Sequence, residues 1–378
     1  MLFKKKIIFI TGTRADYGKI KNLIKTISSY KNFDVHIFVT GMHLLKKYGS
    51  TKNIIIKENK QNAKIYLFQN QSYEDKLDII LSKTINGFSK YLKKIMPDMV
   101  FIHGDRVETL AAVISTSFNN FLTCHIEGGE QTGTIDEHIR HSVTKLAHIH
   151  LVSNYNAKKN LLRMGENPKN VFIVGSPEVD LMKSKDLPNI EEVKKRYGIN
   201  FENYAILIFH PVTTNLKFLK SDVKIILNTL NNLNKKTVVI LPNNDPGSHY
   251  IFNIYNKFKK NKNFKFIDSM RFEYFLTLLK NSSLILGNSS SGVREAPYYG
   301  VPTINIGTRQ INRVNAKSIS NILKISENKL KMKILKTNGK NLKKIKLFGN
   351  GNSAKKILNL LKNKNIWKTS IQKRFHND

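Results

Sequence analysis

The sequence predicts an α/β protein made of two doubly wound, Rossmann-like domains facing a central cleft. Three observations carry this. Short apolar runs alternate with amphipathic stretches along the chain. The alternation restarts near the middle, after a polar segment with two prolines, GSPEVDLMKSKDLPNIEEV. And 378 residues exceed what one ordinary core accommodates.

In the first half the candidate strands are KKIIFIT, DVHIFVTG, DMVFIHGD, FLTCHIEGG, HIHLVSN and NVFIVGSP. They are β-branched or aromatic-rich and mostly end in Gly, Asn or Ser. Helical stretches lie between them, such as YGKIKNLIKTISSY, where Ile20, Ile24 and Ile27 recur on one face. Apolar strands separated by helices predict a parallel sheet covered on both faces. The second set of strands is ENYAILIFHPV, TVVILPNND, FKFID, SLILGNSS and VPTINIG. The boundary falls near residue 180. This gives a first domain over 1–180, a second over 181–360, and a helix and tail over 361–378. The tail, which holds the only tryptophan, Trp367, suits packing back on the first domain.

Composition narrows the class. Hydrophobic residues at 40% belong to a folded chain. The single cysteine, Cys124, rules out an intrachain disulfide and reads as a small buried side chain. The apolar run IIFI is too short for a signal peptide, and no window approaches a membrane span. These features predict a cytoplasmic protein without membrane insertion. The formal net charge of +36 is what a nucleic-acid binder would show. Yet the lysines are spread through stretches such as NKFKKNKNFK, without a nucleic-acid motif, so a solvated basic surface is favoured. Such a surface draws anionic substrates.

Polar residues stand at the strand ends, where ligands bind in doubly wound sheets. TGTRADYGK (11–19) is neither G-x-G-x-x-G nor a P-loop, so neither a dinucleotide nor ATP hydrolysis is supported. It is a turn at a helix start, with Arg14 and Lys19 suited to a phosphate or merely exposed. HGDRVETL (103–110) offers Asp105 and Arg106 at the cleft, with Asp105 as a helix cap the plainer alternative.

CHIEGGEQTGTIDEHIRH (124–141) gathers Glu127, a Gly-Gly turn, Asp136 and three histidines. Asp136 and Arg140 one turn apart also fit a solvated ion pair. His138-x-x-His141 alone is a poor zinc signal, so no metal is expected. In the second half, HPVTT places His210, and LPNNDPGS places Asn243, at strand ends. GNSSSGVREAP (287–297) joins a strand to a helix, its free N–H groups and hydroxyls making a diphosphate cradle and Glu295 reaching a ribose. Together these suit a nucleoside diphosphate attached to a sugar.

TGTRADYGK, VTGMHLLKKYG, PDMVFIHGDR, CHIEGGEQTGTIDEHIRHSVTKLAHIHLV, FHPVTT, PNND, RFEYFLTLLK, GNSSSGVREAP, GTRQINR and SIQKRF jointly resemble the hydrolysing UDP-N-acetylglucosamine 2-epimerases of bacterial sialic acid biosynthesis. The likeness runs along nearly the whole chain. It implies a glycosyltransferase-B-like fold, a homo-oligomer (dimer or tetramer) and no cofactor. It also implies catalytic carboxylates at Asp105, Glu127 and Asp136. UDP contacts are implied for Arg14, Arg106, His210, Asn243, Ser289, Ser290, Glu295 and Arg309. The implied products are UDP and N-acetylmannosamine. The C2 hydrogen is not acidic, because its carbon is not next to a carbonyl. Departure of UDP makes C1 oxocarbenium-like and acidifies C2, so elimination to a glycal would precede rehydration. Rival readings keep the reaction but change the substrate to a UDP- or GDP-linked diacetamido-trideoxyhexose of the legionaminic acid pathway. Others assign a glycosyltransferase of the same architecture, or nucleic-acid binding.

Overall fold

The computed structural model describes residues 4–46, 49–72, 75–133, 135–212, 216–242, 245–337 and 342–376. They form two compact units. One holds Met1–Glu130, Asp136–Ser184 and Phe348–Asp378; the other holds Gln131–Ile135 and Lys185–Leu347.

In the first unit, strands and helices alternate as β1 (Lys5–Thr11), α1 (Arg14–Ser28), β2 (Phe33–Val39), α2 (Lys52–Asn59), β3 (Lys64–Leu67) and α3 (Leu77–Ile95). They continue as β4 (Met99–His103), α4 (Val107–Phe118), β5 (Thr123–Ile126), α5 (Ile135–Leu146), β6 (Ile149–Val152), α6 (Tyr155–Arg163), β7 (Val171–Ile173) and α7 (Pro177–Lys183). The sheet order is β3-β2-β1-β4-β5-β6-β7, with every pair parallel. Alternate residues of β1 face opposite layers, as a pleated strand requires. Ile7 and Phe9 pack with Ile20, Ile24 and Ile27 of α1, whereas Ile8 and Ile10 pack with Phe88, Leu92 and Val113.

The second unit opens with α8 (Ile190–Tyr197), β8 (Ala205–Ile208), α9 (Leu219–Asn232), β9 (Thr237–Ile240), α10 (Ser248–Phe258) and β10 (Phe264–Ile267). It continues with α11 (Phe272–Lys280), β11 (Leu284–Gly287), α12 (Glu295–Tyr299), β12 (Thr303–Ile306), β13 (Ile319–Ile322) and α13 (Glu327–Thr337). Its all-parallel sheet runs β10-β9-β8-β11-β12-β13. Both units therefore have the doubly wound α/β class expected of the sequence. Among the described residues no helix is long and apolar enough to cross a membrane.

Two strands are absent from the sequence reading, and both lie at sheet edges. KIYL of β3 and ISNI of β13 are largely or partly exposed and lack a buried apolar run. The chain re-enters the first unit at Phe348, where α14 (Ser353–Lys362) adds Ala354, Ile357 and Leu361 to the core beneath α1. Asp180 receives the N–H groups of Ser353 and Ala354 at 2.8 and 2.7 Å, fixing the start of that helix. Beyond it the tail grips the first unit. Lys373 Nζ donates to the Thr144 and Ala147 carbonyls at 2.9 and 2.7 Å and pairs with buried Glu166 at 2.6 Å.

Candidate active site

Each sheet reverses its strand order once, between β1 and β4 in the first unit and between β8 and β11 in the second. Crevices open beyond the carboxyl ends of strands at such points. In the first unit the polar groups concentrate there.

His103 ends β4, and its Nδ1 donates to Asp16 Oδ1 at 2.6 Å. Asp16 sits in the first turn of α1, where Thr13 Oγ1 accepts its N–H at 3.1 Å. The other ring nitrogen, Nε2, lies 3.4 Å from Glu127 Oε2. Burial alone would lower the affinity of this imidazole for its second proton. The Glu127 charge and the bonds to Asp16 and Glu127 outweigh burial and raise its pKa to about 9. His103 is thus an imidazolium between two carboxylates. Glu127 follows β5 and also accepts from Ser176 Oγ. Its φ of 65° is left-handed, a conformation costing a glutamate roughly 1 kcal/mol. The Gly128-Gly129 turn permits this course: a Cβ on Gly129 would sit 2.3 Å from the Ala157 carbonyl oxygen.

Arg140 of α5 ties the next two strands together. Its guanidinium is 2% exposed and donates to the Asp105 carboxylate and to the Glu127 carbonyl. A planar fork meets two acceptors more rigidly than an ammonium would. Arg140 is therefore no solvated partner in a surface pair, and the Asp105 carboxylate is turned toward it. The N-cap position of α4 belongs to Arg106, with no side-chain cap. His125 of β5 is held neutral by burial, its pKa lowered to about 3. It donates through Nε2 to the Gly104 carbonyl at 3.0 Å and accepts from Thr144 Oγ1 at 3.1 Å.

Asp136 lies in the first turn of α5, one turn before Arg140. Arg14 opens α1, two residues before Asp16. Arg106 has its Nε 4.0 Å from Glu108 Oε2. Lys19, read as a phosphate anchor, instead pairs with buried Glu178. Among the described residues no three His, Cys, Asp or Glu side chains group as metal ligands would.

The second unit fixes its switch point differently. Asn288, fully buried after β11, accepts the His210 N–H at 2.7 Å and donates to the His210 carbonyl at 2.8 Å. A Cβ on Gly287 would sit 1.9 Å from the Ile208 carbonyl oxygen, so only glycine lets β11 approach β8 there. Arg309 Nη1 and Gln310 Nε2 both reach the Asn288 carbonyl at 3.3 Å. The serine turn is a short 3₁₀ segment, Ser290–Gly292, ahead of the five-residue α12. Its N–H groups are less free than expected: those of Gly292, Val293 and Arg294 donate to carbonyls within the turn at 2.9–3.2 Å. Ser289 Oγ bonds Ser291 Oγ at 2.7 Å, while Ser290 Oγ has no partner among the described residues. Glu295 is buried at the start of α12. Asn243 lies outside the described residues.

The structure thus brings Asp105 and Glu127 onto one arginine, and His210, Ser289, Ser290 and Arg309 around Asn288. Asp16, His103, Ser176 and Asn288 had no assigned role in the sequence reading, and Arg140 had only that of a solvated partner to Asp136. Asp16 and His103 stood inside quoted motifs, but nothing local announces that they meet.

A family model described as UDP-N-acetylglucosamine 2-epimerase matches residues 25–362. A Neisseria meningitidis protein named UDP-N-acetylglucosamine 2-epimerase is 47% identical over 315 residues, 83% of each chain. A Legionella pneumophila protein named UDP-N,N'-diacetylbacillosamine 2-epimerase (hydrolyzing) is 32% identical over 84% of this chain and 85% of its own. In fold, a Methanocaldococcus jannaschii UDP-GlcNAc 2-epimerase solved with UDP-GlcNAc and UDP superposes with a TM-score of 0.80 at 24% identity, covering 94% of this chain and 99% of that one.

Proposed function

The chain belongs to the UDP-N-acetylglucosamine 2-epimerase family, and from that premise we propose that it is a hydrolysing epimerase. It converts UDP-N-acetylglucosamine and water to N-acetylmannosamine and UDP, the opening step of sialic acid synthesis. The observation that supports this reading is at the first unit's switch point, where buried Arg140 holds the Asp105 carboxylate and the Glu127 main-chain carbonyl, and Ser176 and His103 hold the Glu127 carboxylate. Two acid/base groups fixed in place are what removal of a proton from one face of C2 and its return to the other demand.

In the first step a carboxylate takes the C2 proton, the C1–O bond breaks, and UDP leaves a glycal. In the second, a proton is delivered to C2 from the opposite face while water oxygen bonds C1. Asp105 and Glu127 handle the C2 proton, and Asp136 orients the ring or activates the water. Arg14 and Arg106 stabilise the charge growing on the leaving diphosphate. His210, Ser289, Ser290, Asn243 and Arg309 bind UDP, and Glu295 accepts from the ribose. On this reading the enzyme needs no cofactor and works as a cytoplasmic homo-oligomer, which light scattering on purified protein tests for assembly size.

The Legionella relative's name supports a second substrate, the same reaction on a UDP-linked diacetamido-trideoxyhexose, and a GDP-linked one is the parallel alternative. One experiment separates the readings. Each sugar nucleotide is incubated alone in deuterated water and followed by NMR. UDP and C2-deuterated N-acetylmannosamine are expected from UDP-N-acetylglucosamine. UDP-N-acetylmannosamine without free sugar would identify a non-hydrolysing enzyme. Turnover of the trideoxy sugar alone would reassign the substrate. No reaction without an added acceptor would point to a glycosyltransferase.

A further inference from the structure

His103 and Asp16 take no part in the reaction just described, yet they form a close, buried charged pair beside it. Their bond is 2.6 Å, and His103 is 6% exposed. They come from β4 and α1, the elements that flank the strand-order reversal. A buried imidazolium costs desolvation free energy and is retained only where carboxylates face it. Here one of the two carboxylates is Glu127, whose backbone is already in a strained conformation and whose second oxygen is held by Ser176.

We propose that Asp16 and His103 are positioning residues: Asp16 orients the His103 cation, and that cation keeps the Glu127 carboxylate ionised and aimed for proton abstraction. This rests on the reading of Glu127 as a catalytic base. The array is directional. Asp16 is anchored by the α1 N-cap, so His103 Nδ1 has a fixed acceptor and Nε2 is aimed at Glu127. The 3.4 Å separation leaves the carboxylate able to take up a substrate proton, while the neighbouring positive charge limits how readily it does so before substrate binds. No net proton is consumed by the pair. The proton removed from C2 resides on the Glu127 carboxyl, and His103 remains an imidazolium throughout.

The other titratable and charged groups facing the array do not change state in the working range. His125 of β5 faces His103, and His43 faces Asp16; burial lowers their pKa values to about 3 and about 4, so both stay neutral. Arg140 of α5 holds the Glu127 carbonyl and Asp105, and Arg14 flanks Asp16; both stay cationic. His103 is therefore the group in this set that titrates above neutrality, and Glu127 the one that its charge controls from below.

The test is the pH profile of kcat and KM for UDP release, from pH 5 to 10, in wild type, His103→Gln and Asp16→Asn, with UDP affinity measured by calorimetry. In wild type, kcat is expected to fall on the alkaline side near pH 9. In His103→Gln, kcat should drop about 10- to 100-fold with KM nearly unchanged, and the acidic limb should move up by about one pH unit. In Asp16→Asn the alkaline limb should move down, because His103 loses one of its two carboxylates. Wild-type kcat in both variants overturns the proposal. So does lost activity with unmoved limbs, which marks a merely structural role. Histidine-labelled wild type supplies an arm that survives a variant's failure to fold: a neutral His103 ring at pH 7 by 15N NMR also overturns the proposal. A wild type that releases no UDP from either sugar nucleotide, while Glu127→Gln leaves its behaviour unaltered, sinks the functional reading instead.

Discussion

The strand ends of the first unit and those of the second occupy the same topological position and are built from opposite materials. After β4 and β5 the side chains carry the order: Asp105, Glu127, His103, Asp16 and Arg140 are locked by ion pairs in a buried setting. After β8 and β11 the main chain carries it, through the reciprocal amide bonds of Asn288 to His210 and the close approach at Gly287. The first arrangement fixes charged groups whose protonation must be controlled. The second supports hydroxyls, with Ser290 Oγ unengaged among the described residues. Proton transfer requires preorganised charge; holding an anion requires donors on a firm frame.

That contrast can be broken by substitution, most forcefully in the first unit. Glu127→Gln or Asp105→Asn should lower kcat by about 1,000-fold or more while UDP affinity, read by calorimetry, stays within a few-fold. A comparable loss of UDP affinity would erase the division of labour. Arg140→Met comes next. It strands Asp105 and the Glu127 carbonyl without their shared donor, and removal of one partner from a buried ion pair costs about 3–5 kcal/mol. Thermal denaturation should show the loss, together with low residual activity. In the second unit Ser290→Ala should act in the reverse sense, weakening UDP binding by about 5- to 20-fold with saturated kcat near wild type.

The pH dependence sharpens the same point. His103 has its pKa raised from 6.5 to about 9 in the folded protein, because the Glu127 charge and both carboxylate bonds outweigh burial. Its contribution to stability is complete below pH 6.5 and is lost as pH rises through about 9. A urea titration series should therefore show stability declining over that alkaline window in wild type but less steeply in His103→Gln. The smallest effect belongs to the tail. Lys373→Met removes one of the two ammonium groups around Glu166 and should lower the melting temperature by several degrees.

Much of this was legible because buried parallel strands are continuous apolar runs and their last residues are polar. Asp105, Glu127 and His210 could be placed at strand ends from those runs alone. The partners that organise them could not. Asp16 and His103 are 87 residues apart, and Arg140 reaches back 35 residues to Asp105. Only the strand order, which sets β1 beside β4 and β4 beside β5, makes them neighbours. Asn288 was hidden for a related reason: an amide bonded to backbone looks, in sequence, like any turn residue. The edge strands β3 and β13 escaped because an edge need not bury both faces.

The first unit is assembled from chain segments that precede and follow the second, whereas the second is almost uninterrupted. On the ribosome, then, the later portion can reach its native packing while the earlier one still lacks Ala354, Ile357, Leu361 and the Lys373 grip on α5. The N-terminal sheet must wait, with one apolar layer incompletely covered, until the segment from residue 348 onward has been made. A nascent chain arrested before residue 348 should accordingly show a protease-resistant C-terminal fragment and a sensitive N-terminal one, an inversion of the usual vectorial order.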